Sequence, residues 1–283
     1  MSKHLESEIT RQQPFRNIMT IVKIESLEGR GAISGEAFEV LASSGKKYKL
    51  RCCKTLKQAK LTERNVTLIP NLFPRFYGRE GRYLLFDWIN GEFLGKELSL
   101  DVCYKLGKMA GEAHALSEIN KKKTPFDLFN TIITNLRTHK IFNNQILGQI
   151  EKTYFAMIEK LKPDIVLEFH DFHRGNILAD KHGKLYFIDE EGFGYKVKGL
   201  GLAKPFFRSK WIKTSAQKRA FWKGYCEHHS NDYFDNDYKK FVHFLQLIRT
   251  ISTRTRTGAD YMSERKDLLN MLEKKGFFAN FFS

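Results

Sequence analysis

The chain has 283 residues, of which 42% are hydrophobic and 28% are charged, and 48 basic against 32 acidic residues give a net charge of +16. This composition suits a globular protein of one large or two small domains, and it contains no low-complexity tract, internal repeat or apolar run of the roughly 18 residues that a membrane span requires. The positive charge favours anionic partners, namely a nucleotide, a phosphorylated substrate, nucleic acid or an acidic membrane face, although a solvated basic surface explains the count equally well.

The four cysteines and the N-terminal residues limit the cellular setting. Cys52, Cys53, Cys103 and Cys226 show no CxxC spacing, which favours reduced thiols over a disulfide framework or a zinc site. The opening "MSKHLESEITRQQPF" has no apolar core and is not expected to be a secretory signal. We therefore expect a cytoplasmic protein.

The first 90 residues are predicted to form mainly strands. "NIMTIVKIESL", "EAFEVLA" and "YKLRCC" each have the apolar pattern of a strand, and in the last one Tyr48, Leu50 and Cys52 alternate with basic residues. The charged "KTLKQAKLTERNVTLI" is predicted to be a helix that Pro70 ends. Two more strands with a glycine-containing turn are predicted in "FPRFYGREGRYLLFDWI".

From residue 97 the pattern changes to long helices. "LSLDVCYKLGKMAGEAHALSEI" has apolar residues at helical spacing and small residues that allow close packing. Further helices are predicted in "FDLFNTIITNLRTHKIF", "QILGQIEKTYFAMIEKL", "RAFWKGYCEHH", "YKKFVHFLQLIRTIS" and "RKDLLNMLEKK". This order predicts an α+β chain of two lobes with a cleft between them. We assign residues 1–86 to a β-rich N-lobe, 87–91 to a hinge and 92–283 to a mainly helical C-lobe.

The stretch "HDFHRGNILADKHGKLYFIDEEG" concentrates oxygen ligands around a predicted β-hairpin. Its strands, 176–179 and 185–188, flank "DKHG", in which Gly183 is free to take a positive φ. The hairpin brings Asn176 and Asp189 together, and Asp171 lies five residues before Asn176. Two carboxylates and an amide oxygen repel one another unless a cation lies among them. Oxygen ligands suit Mg²⁺, which usually binds together with substrate phosphates.

The same stretch resembles the catalytic loop and metal motif of the aminoglycoside phosphotransferase and choline kinase group, which has the protein-kinase-like fold. "HxGNIL" followed by "FID" carries the likeness, and the spacings of five and thirteen residues match those of protein kinases. "YLLFDWINGEF" is similar to the hinge of that group, "LGKMAGEAHAL" to its next helix, and "KYKLRCC" to its third strand. The resemblance covers residues 20 to 230.

The resemblance implies a role for each matching residue in binding ATP and Mg²⁺ and in moving the γ-phosphoryl group to a hydroxyl. Asp171 would accept or orient the hydroxyl proton, and Asn176 and Asp189 would hold Mg²⁺. The phosphate-side cation would be Arg51 or, as the alternative, Lys49. The remaining expected nucleotide-binding positions are Glu63 as the acidic partner of that cation, the backbone of Asp87 and Ile89 at adenine, and Gly29 and Gly31 in a phosphate-covering loop.

Several positions depart from the pattern of the group. Phe169 takes the usual place of a histidine, and His170 takes the usual place of a glycine. His173 is interpreted as a buried, hydrogen-bonded loop histidine and not as a catalytic base. Glu190 and Glu191, which directly follow Asp189, are expected to face solvent instead of adding to the metal site.

The composition after the metal motif favours an anionic acceptor. Between Glu191 and Glu227 there is no acidic residue. The nine basic residues in this interval are Lys196, Lys198, Lys204, Arg208, Lys210, Lys213, Lys218, Arg219 and Lys223. Choline and aminoglycosides are cations, so a basic border argues against them. The "HRGN" loop and this basic segment are also similar to lipopolysaccharide core sugar kinases, which implies a glycolipid acceptor and peripheral contact with the inner membrane face.

Two other functions stay open at this stage. A protein Ser/Thr kinase has the same metal motif, but the H-R-D, D-F-G and A-P-E signals are missing from the sequence. A catalytically inactive kinase-like module could use the basic segment to bind nucleic acid or another anion, although the retained Asp171, Asn176 and Asp189 argue against it. No nucleic-acid partner is expected for the enzyme.

Overall fold

The structure is a computed structural model, and it describes residues 2–27, 35–116, 124–208, 210–229 and 235–274. The chain divides into two compact units. The first contains residues 1–96 together with 173–193, and the second contains 97–172 together with 194–283. The hairpin predicted at 176–188, which was expected to lie in the C-lobe, therefore belongs to the same unit as the N-terminal strands.

An antiparallel sheet of five strands forms the centre of the first unit, in the order β1-β2-β3-β5-β4. These strands are β1 (Ile21–Ser26), β2 (Gly35–Ala42), β3 (Lys47–Cys53), β4 (Phe76–Glu80) and β5 (Tyr83–Asp87). One side of the sheet is apolar, with Phe38, Val40, Leu50 and Leu85 fully buried. Tyr48, Leu50 and Cys52 face this core, which confirms the predicted alternation in β3.

Helix α1 (Ser2–Gln12) packs on this core, although its sequence is too polar to have predicted a helix. Leu5 and Ile9, one turn apart, are its buried residues. Glu8 accepts hydrogen bonds from Tyr83 and Arg82 of the sheet. Two apolar residues are too weak a pattern to predict a helix. This helix forms because its contacts with the sheet stabilise it.

Helix α2 (Leu56–Leu68) lies where the charged segment predicted it, and Thr55 caps its N-terminus by accepting from the backbone of Gln58. Beyond the main sheet, a second one has the order β6-β8-β9. Its strands are β6 (Gly91–Phe93), β8 (Ile177–Asp180) and β9 (Leu185–Phe187). The predicted hairpin is confirmed: β8 and β9 pair antiparallel, and Gly183 has a φ of 73° in the turn.

The second unit is mainly helical. Its helices are α3 (Leu100–Ala115), α4 (Pro125–Thr138), α5 (Asn144–Leu161), α6 (Ser215–Tyr225), α7 (Asn236–Thr257) and α8 (Met262–Glu273). A side chain caps the N-terminus of each helix from α3 to α7, and at α4 Thr124 and Asp127 form a capping box. Two strands that the sequence did not predict, β7 (Ile165–Phe169) and β10 (Phe193–Val197), pair with each other.

Small residues bring α3 and α6 into backbone contact, as the sequence analysis expected. A Cβ on Gly107 would overlap the carbonyl oxygen of Phe221, and one on Gly111 would overlap that of Tyr225. Such close approach allows the helices to pack with almost no space between their backbones. No helix in the described part of the chain combines the length and the apolar character needed to cross a membrane.

Candidate functional site

The first unit holds the two expected metal ligands at one end of the β8–β9 hairpin. The backbone N–H of Ile188 donates to the carbonyl oxygen of Asn176 at 3.0 Å, which fixes Asn176 beside the residue that precedes Asp189. A 3-10 turn (Arg174–Asn176) leads into β8, and another (Glu190–Gly192) follows Asp189. The local fold thus brings together two residues that are thirteen positions apart.

Two basic side chains of β3 reach this hairpin end. Lys49 Nζ lies 2.5 Å from the carbonyl oxygen of Ile188 and 2.6 Å from Glu190 Oε1. Arg51 Nη1 lies 3.4 Å from Glu190 Oε2 and 3.9 Å from Asp189 Oδ1, and its Nη2 forms an ion pair with Glu191. Both candidates for the phosphate-side cation are therefore at the same site, and both are buried.

The expectation that Glu190 and Glu191 face solvent is wrong. Glu190 is completely buried, and the side chain of Glu191 is only 16% exposed. Each of them is held by a cation of β3, because a buried carboxylate needs a charged or hydrogen-bonded partner. The sequence contained one signal of this pairing: two acidic residues directly follow the hairpin, and two basic residues alternate along one face of a strand.

The expected partnership between Glu63 and Arg51 is also corrected. Glu63, on α2, accepts from Arg79 Nε at 2.6 Å instead. It is the only acidic residue of α2. The carboxylates that hold Arg51 come from the segment after β9, since Arg51 points toward Asp189, Glu190 and Glu191.

The electrostatics of the site suit a bound cation. Three carboxylates, Asp189, Glu190 and Glu191, surround two cations, Lys49 and Arg51, so the cluster has one excess negative charge. Burial, with Glu190 and Glu191 nearby, raises the pKa of Asp189 to about 6 although Arg51 and Lys49 oppose the shift. For Arg51, burial lowers the pKa, but these carboxylates outweigh burial and raise it overall. Arg51 therefore stays charged, whereas Asp189 lacks a full counter-charge.

The donor set fits Mg²⁺ when phosphates supply further ligands. Asn176 offers an amide oxygen and Asp189 a carboxylate, which are the hard oxygen donors that Mg²⁺ prefers, and protein sites commonly provide only one or two carboxylates to it. Within the described residues, no group of three or more His, Cys, Asp or Glu side chains is arranged to hold a metal ion. Asn176 and Asp189 are the residues that would hold the ion, with phosphates as further ligands.

The hinge residues lie at the end of β5 in the first unit. The backbone N–H of Asp87 donates to the carbonyl oxygen of Arg75, and the Asp87 carboxylate accepts from the Tyr77 hydroxyl at 2.7 Å. Lys46 completes this cluster with an ion pair to Asp87 at 2.9 Å. Ile89 follows the strand and is half-buried. Gly29 and Gly31 lie outside the described residues.

Asp171 belongs to the second unit, where it follows β7. Its carboxylate is 39% exposed and forms an ion pair with Lys204, which starts a π-helical turn (Lys204–Arg208). Phe172 is buried next to it, stacks on Trp211 and contacts Phe169 edge to face. Aromatic packing thus braces this loop, in which Phe169 stands where the group that the sequence resembles has histidine.

The two histidines of the loop, His170 and His173, differ in burial. Burial and the nearby cations Arg249, Lys196 and Lys204 lower the pKa of His170 to about 3, so it is neutral. His173 is exposed, and its Nδ1 accepts from the backbone N–H of Gly175 at 3.1 Å. The interpretation of His173 as hydrogen-bonded is correct, but it is not buried, because the 3-10 turn that it caps lies at the surface.

The basic segment after the metal motif splits into inner and outer residues. Lys198 is buried, with its Nζ 3.1 Å from His229 Nε2, and Lys204 is paired with Asp171. Five others are exposed: Lys210, Lys213, Lys218, Arg219 and Lys223. The side chain of Arg208 is not described.

Comparisons with known proteins identify the fold. No protein-family model matches the sequence, and no curated protein matches it significantly. Among solved structures, a choline kinase from Streptococcus pneumoniae has a TM-score of 0.67 at 16% identity, covering 96% of this chain and 98% of that one. A choline kinase from Cryptosporidium parvum has a TM-score of 0.66 at 13% identity, with 100% of both chains covered.

A spectinomycin phosphotransferase, solved with ADP and spectinomycin, has a TM-score of 0.59 at 16% identity and covers 99% of this chain and 97% of its own. These similarities extend over nearly the whole chain. They show that the chain has the protein-kinase-like fold, which confirms the α+β kinase-like class expected from the sequence.

Proposed function

We propose that this chain is an ATP- and Mg²⁺-dependent phosphotransferase that acts on a hydroxyl group of a small or lipid-linked molecule. The observation that carries the proposal is the first-unit cluster: Asn176 and Asp189 at one hairpin end, with Lys49 and Arg51 of β3 beside them. An excess of oxygen ligands beside fixed cations is the arrangement that phosphoryl transfer needs, because that reaction depends on positioning and charge neutralisation.

The fold supports a nucleotide as the donor. Structural neighbours include a choline kinase determined with AMP and the spectinomycin phosphotransferase determined with ADP. On this chain, the backbone of Asp87 and Ile89 would contact adenine. Asp87 is suited to this role because Tyr77 and Lys46 hold its side chain and thereby fix the backbone around it.

In the proposed reaction, Asn176 and Asp189 would hold Mg²⁺, and Arg51 and Lys49 would orient the phosphates. The metal, when bound, would neutralise negative charge on the phosphates. Asp171 orients the acceptor hydroxyl and takes its proton while the oxygen attacks the γ-phosphorus, the bond from that phosphorus to the β–γ bridging oxygen breaks, and ADP leaves. The ammonium of Lys204 beside Asp171 stabilises the carboxylate in its ionised form, which is the form that accepts a proton.

The acceptor is proposed to be anionic, such as a sugar of the lipopolysaccharide core. Lys204 pairs directly with Asp171, and five more basic residues of the same segment are exposed. A cationic acceptor such as choline would be repelled by this segment, whereas a phosphorylated sugar would be attracted to it. The exposed lysines would also favour peripheral contact with an acidic membrane face.

The first test is a thermal-shift titration with ATP and Mg²⁺ on the wild type and on Asp189→Ala. A ligand that binds the native state raises the unfolding midpoint. We expect a magnesium-dependent rise in the wild type that is lost in Asp189→Ala. Absence of any rise in the wild type would contradict the proposal and would favour the inactive anion-binding module.

The second test addresses the reaction and the acceptor. Phosphate transfer from ATP is measured on a phosphorylated sugar, on the same sugar without phosphate and on choline. Transfer should favour the phosphorylated sugar, and Asp171→Ala should lower it by about 10²–10⁴-fold while nucleotide binding persists. A preference for choline would refute the anionic acceptor, and full transfer by Asp171→Ala would refute the role of Asp171.

A further inference from the structure

We propose that Glu190 is the positioning residue that holds Lys49 and Arg51 together, so that Asp189 stays available to the metal. This inference rests on the proposed function. Glu190 has no exposed surface, and its two carboxylate oxygens are divided between the two cations. Oε1 lies 2.6 Å from Lys49 Nζ, and Oε2 lies 3.4 Å from Arg51 Nη1.

The contacts connect β3 to both neighbours of Asp189. Lys49 Nζ binds the carbonyl oxygen of Ile188 at 2.5 Å as well as the carboxylate of Glu190. Asp189 is therefore flanked by two residues that a single ammonium group holds in place. This arrangement restricts the backbone at Asp189 without using the Asp189 carboxylate itself.

Arg51 shows why the charge of Glu190 is needed. Its Nη1 is 3.4 Å from Glu190 Oε2 but already 3.9 Å from Asp189 Oδ1. In the wild type, three carboxylates share two cations. Without that charge, Asp189 and Glu191 are the carboxylates that remain to pair with Arg51 in the described part of the chain, and Arg51 would compete with the metal for Asp189.

Helix α2 offers no substitute for Glu190. Its only acidic residue is Glu63, which pairs with Arg79 at 2.6 Å. The segment after β9 therefore provides the carboxylates for the cations of β3. One short stretch, residues 188–191, then supplies both a metal ligand and the anchor of the phosphate-binding side chains.

The experiment measures ADP affinity by calorimetry with and without Mg²⁺, so that it needs neither an acceptor nor turnover. The variants are Glu190→Gln, which keeps size and removes charge, and Glu39→Gln as the matched control. Glu39 lies on β2 of the same sheet and pairs with Lys47. In Glu190→Gln we expect the gain in ADP affinity due to Mg²⁺ to fall about 10–100-fold, with metal-free affinity changed less than about twofold.

If Glu190 has a merely structural role, Glu190→Gln will lower ADP affinity by the same factor with and without Mg²⁺, and that result would overturn the inference. Wild-type ADP affinities in Glu190→Gln would overturn it as well. Loss of the magnesium effect in Glu63→Gln but not in Glu190→Gln would return the anchor to α2 and would also overturn it. If Glu190→Gln does not fold, Glu190→Asp replaces it. That variant keeps the charge but shortens its reach, and the same selective loss is expected at smaller size.

The outcomes separate this inference from the proposed function. If the wild type binds ADP with a magnesium effect and Glu190→Gln is unchanged, the inference fails and the proposed function stands. If the wild type shows no ADP binding in either titration, the proposed function fails and the inference fails with it.

Discussion

Among the described residues, the two most deeply buried glutamates lie one in each unit, and they are stabilised in opposite ways. Glu190 in the first unit is held by the side chains of Lys49 and Arg51. Glu168 in the second unit accepts from the backbone N–H groups of Gly199 at 3.3 Å and Gly201 at 2.7 Å, and it contacts His114 Nε2. The first glutamate is thus balanced by charged side chains, and the second mainly by backbone dipoles.

The difference indicates what each residue does. A carboxylate bound by backbone N–H groups fixes the course of the chain, and Glu168 joins the end of β7 to the turn at 199–201. Its other partner, His114 on α3, also binds the Tyr225 hydroxyl through Nδ1 at 2.9 Å. A carboxylate bound by lysine and arginine instead sets the position of charges that a ligand can use. Glu168 therefore serves mainly folding, whereas Glu190 serves binding.

Glu168→Gln is expected to reduce stability most, and it tests directly whether Glu168 is mainly structural. The amide has one acceptor oxygen where the carboxylate has two, so one N–H of the turn loses its partner in a buried site. We expect the free energy of unfolding to fall by about 2–3 kcal/mol, measured by urea denaturation. The folded variant should bind Mg²⁺–ADP like the wild type, and a selective loss of the magnesium effect would show that Glu168 is not mainly structural.

Gly201→Ala tests the backbone side of the Glu168 site. A Cβ at this position would overlap the carbonyl oxygen of Phe169 and approach Glu168 Oε1 to 3.0 Å. The chain must shift to admit it, and we expect a loss of about 1–3 kcal/mol in the free energy of unfolding. Gly194→Ala is the matched control, because a Cβ there meets no atom within 4 Å. Equal stability of the two variants would contradict the close approach at Gly201.

The pH dependence of stability gives the smallest expected effect and concerns the first-unit site. Burial raises the pKa of Asp189 to about 6 from the ordinary 3.8, so the folded protein holds this proton more tightly than the unfolded chain does. Asp189 therefore contributes stability that is present below the ordinary pKa and is lost as the pH rises through about 6. The metal-free wild type should lose more stability over this range than Asp189→Asn, measured by thermal unfolding at each pH. Identical profiles would refute the raised pKa.

The β8–β9 hairpin was predictable because it depends on local sequence. Two apolar strands around a glycine turn require Asn176 and Asp189 to approach each other, whatever surrounds them. Helices α2 to α8 were predicted for the same reason, since their apolar and charged patterns are local. Helix α1 was not predicted, because Leu5 and Ile9 form a weak apolar pattern. Strands β6, β7 and β10 were not predicted either, because such short strands carry little local signal.

Residue types and their spacing were sufficient to predict which side chains can supply oxygen ligands, which strand carries cations, and that the fold is kinase-like. The pairing of those charges depends on three-dimensional packing. That packing placed Glu63 against Arg79, buried Glu190 between Lys49 and Arg51, and set Lys204 against Asp171. An ion pair depends on distance and burial in three dimensions. Arg51 and Lys49 are 139 and 141 positions away from Glu190, so the local sequence carries no signal of these contacts.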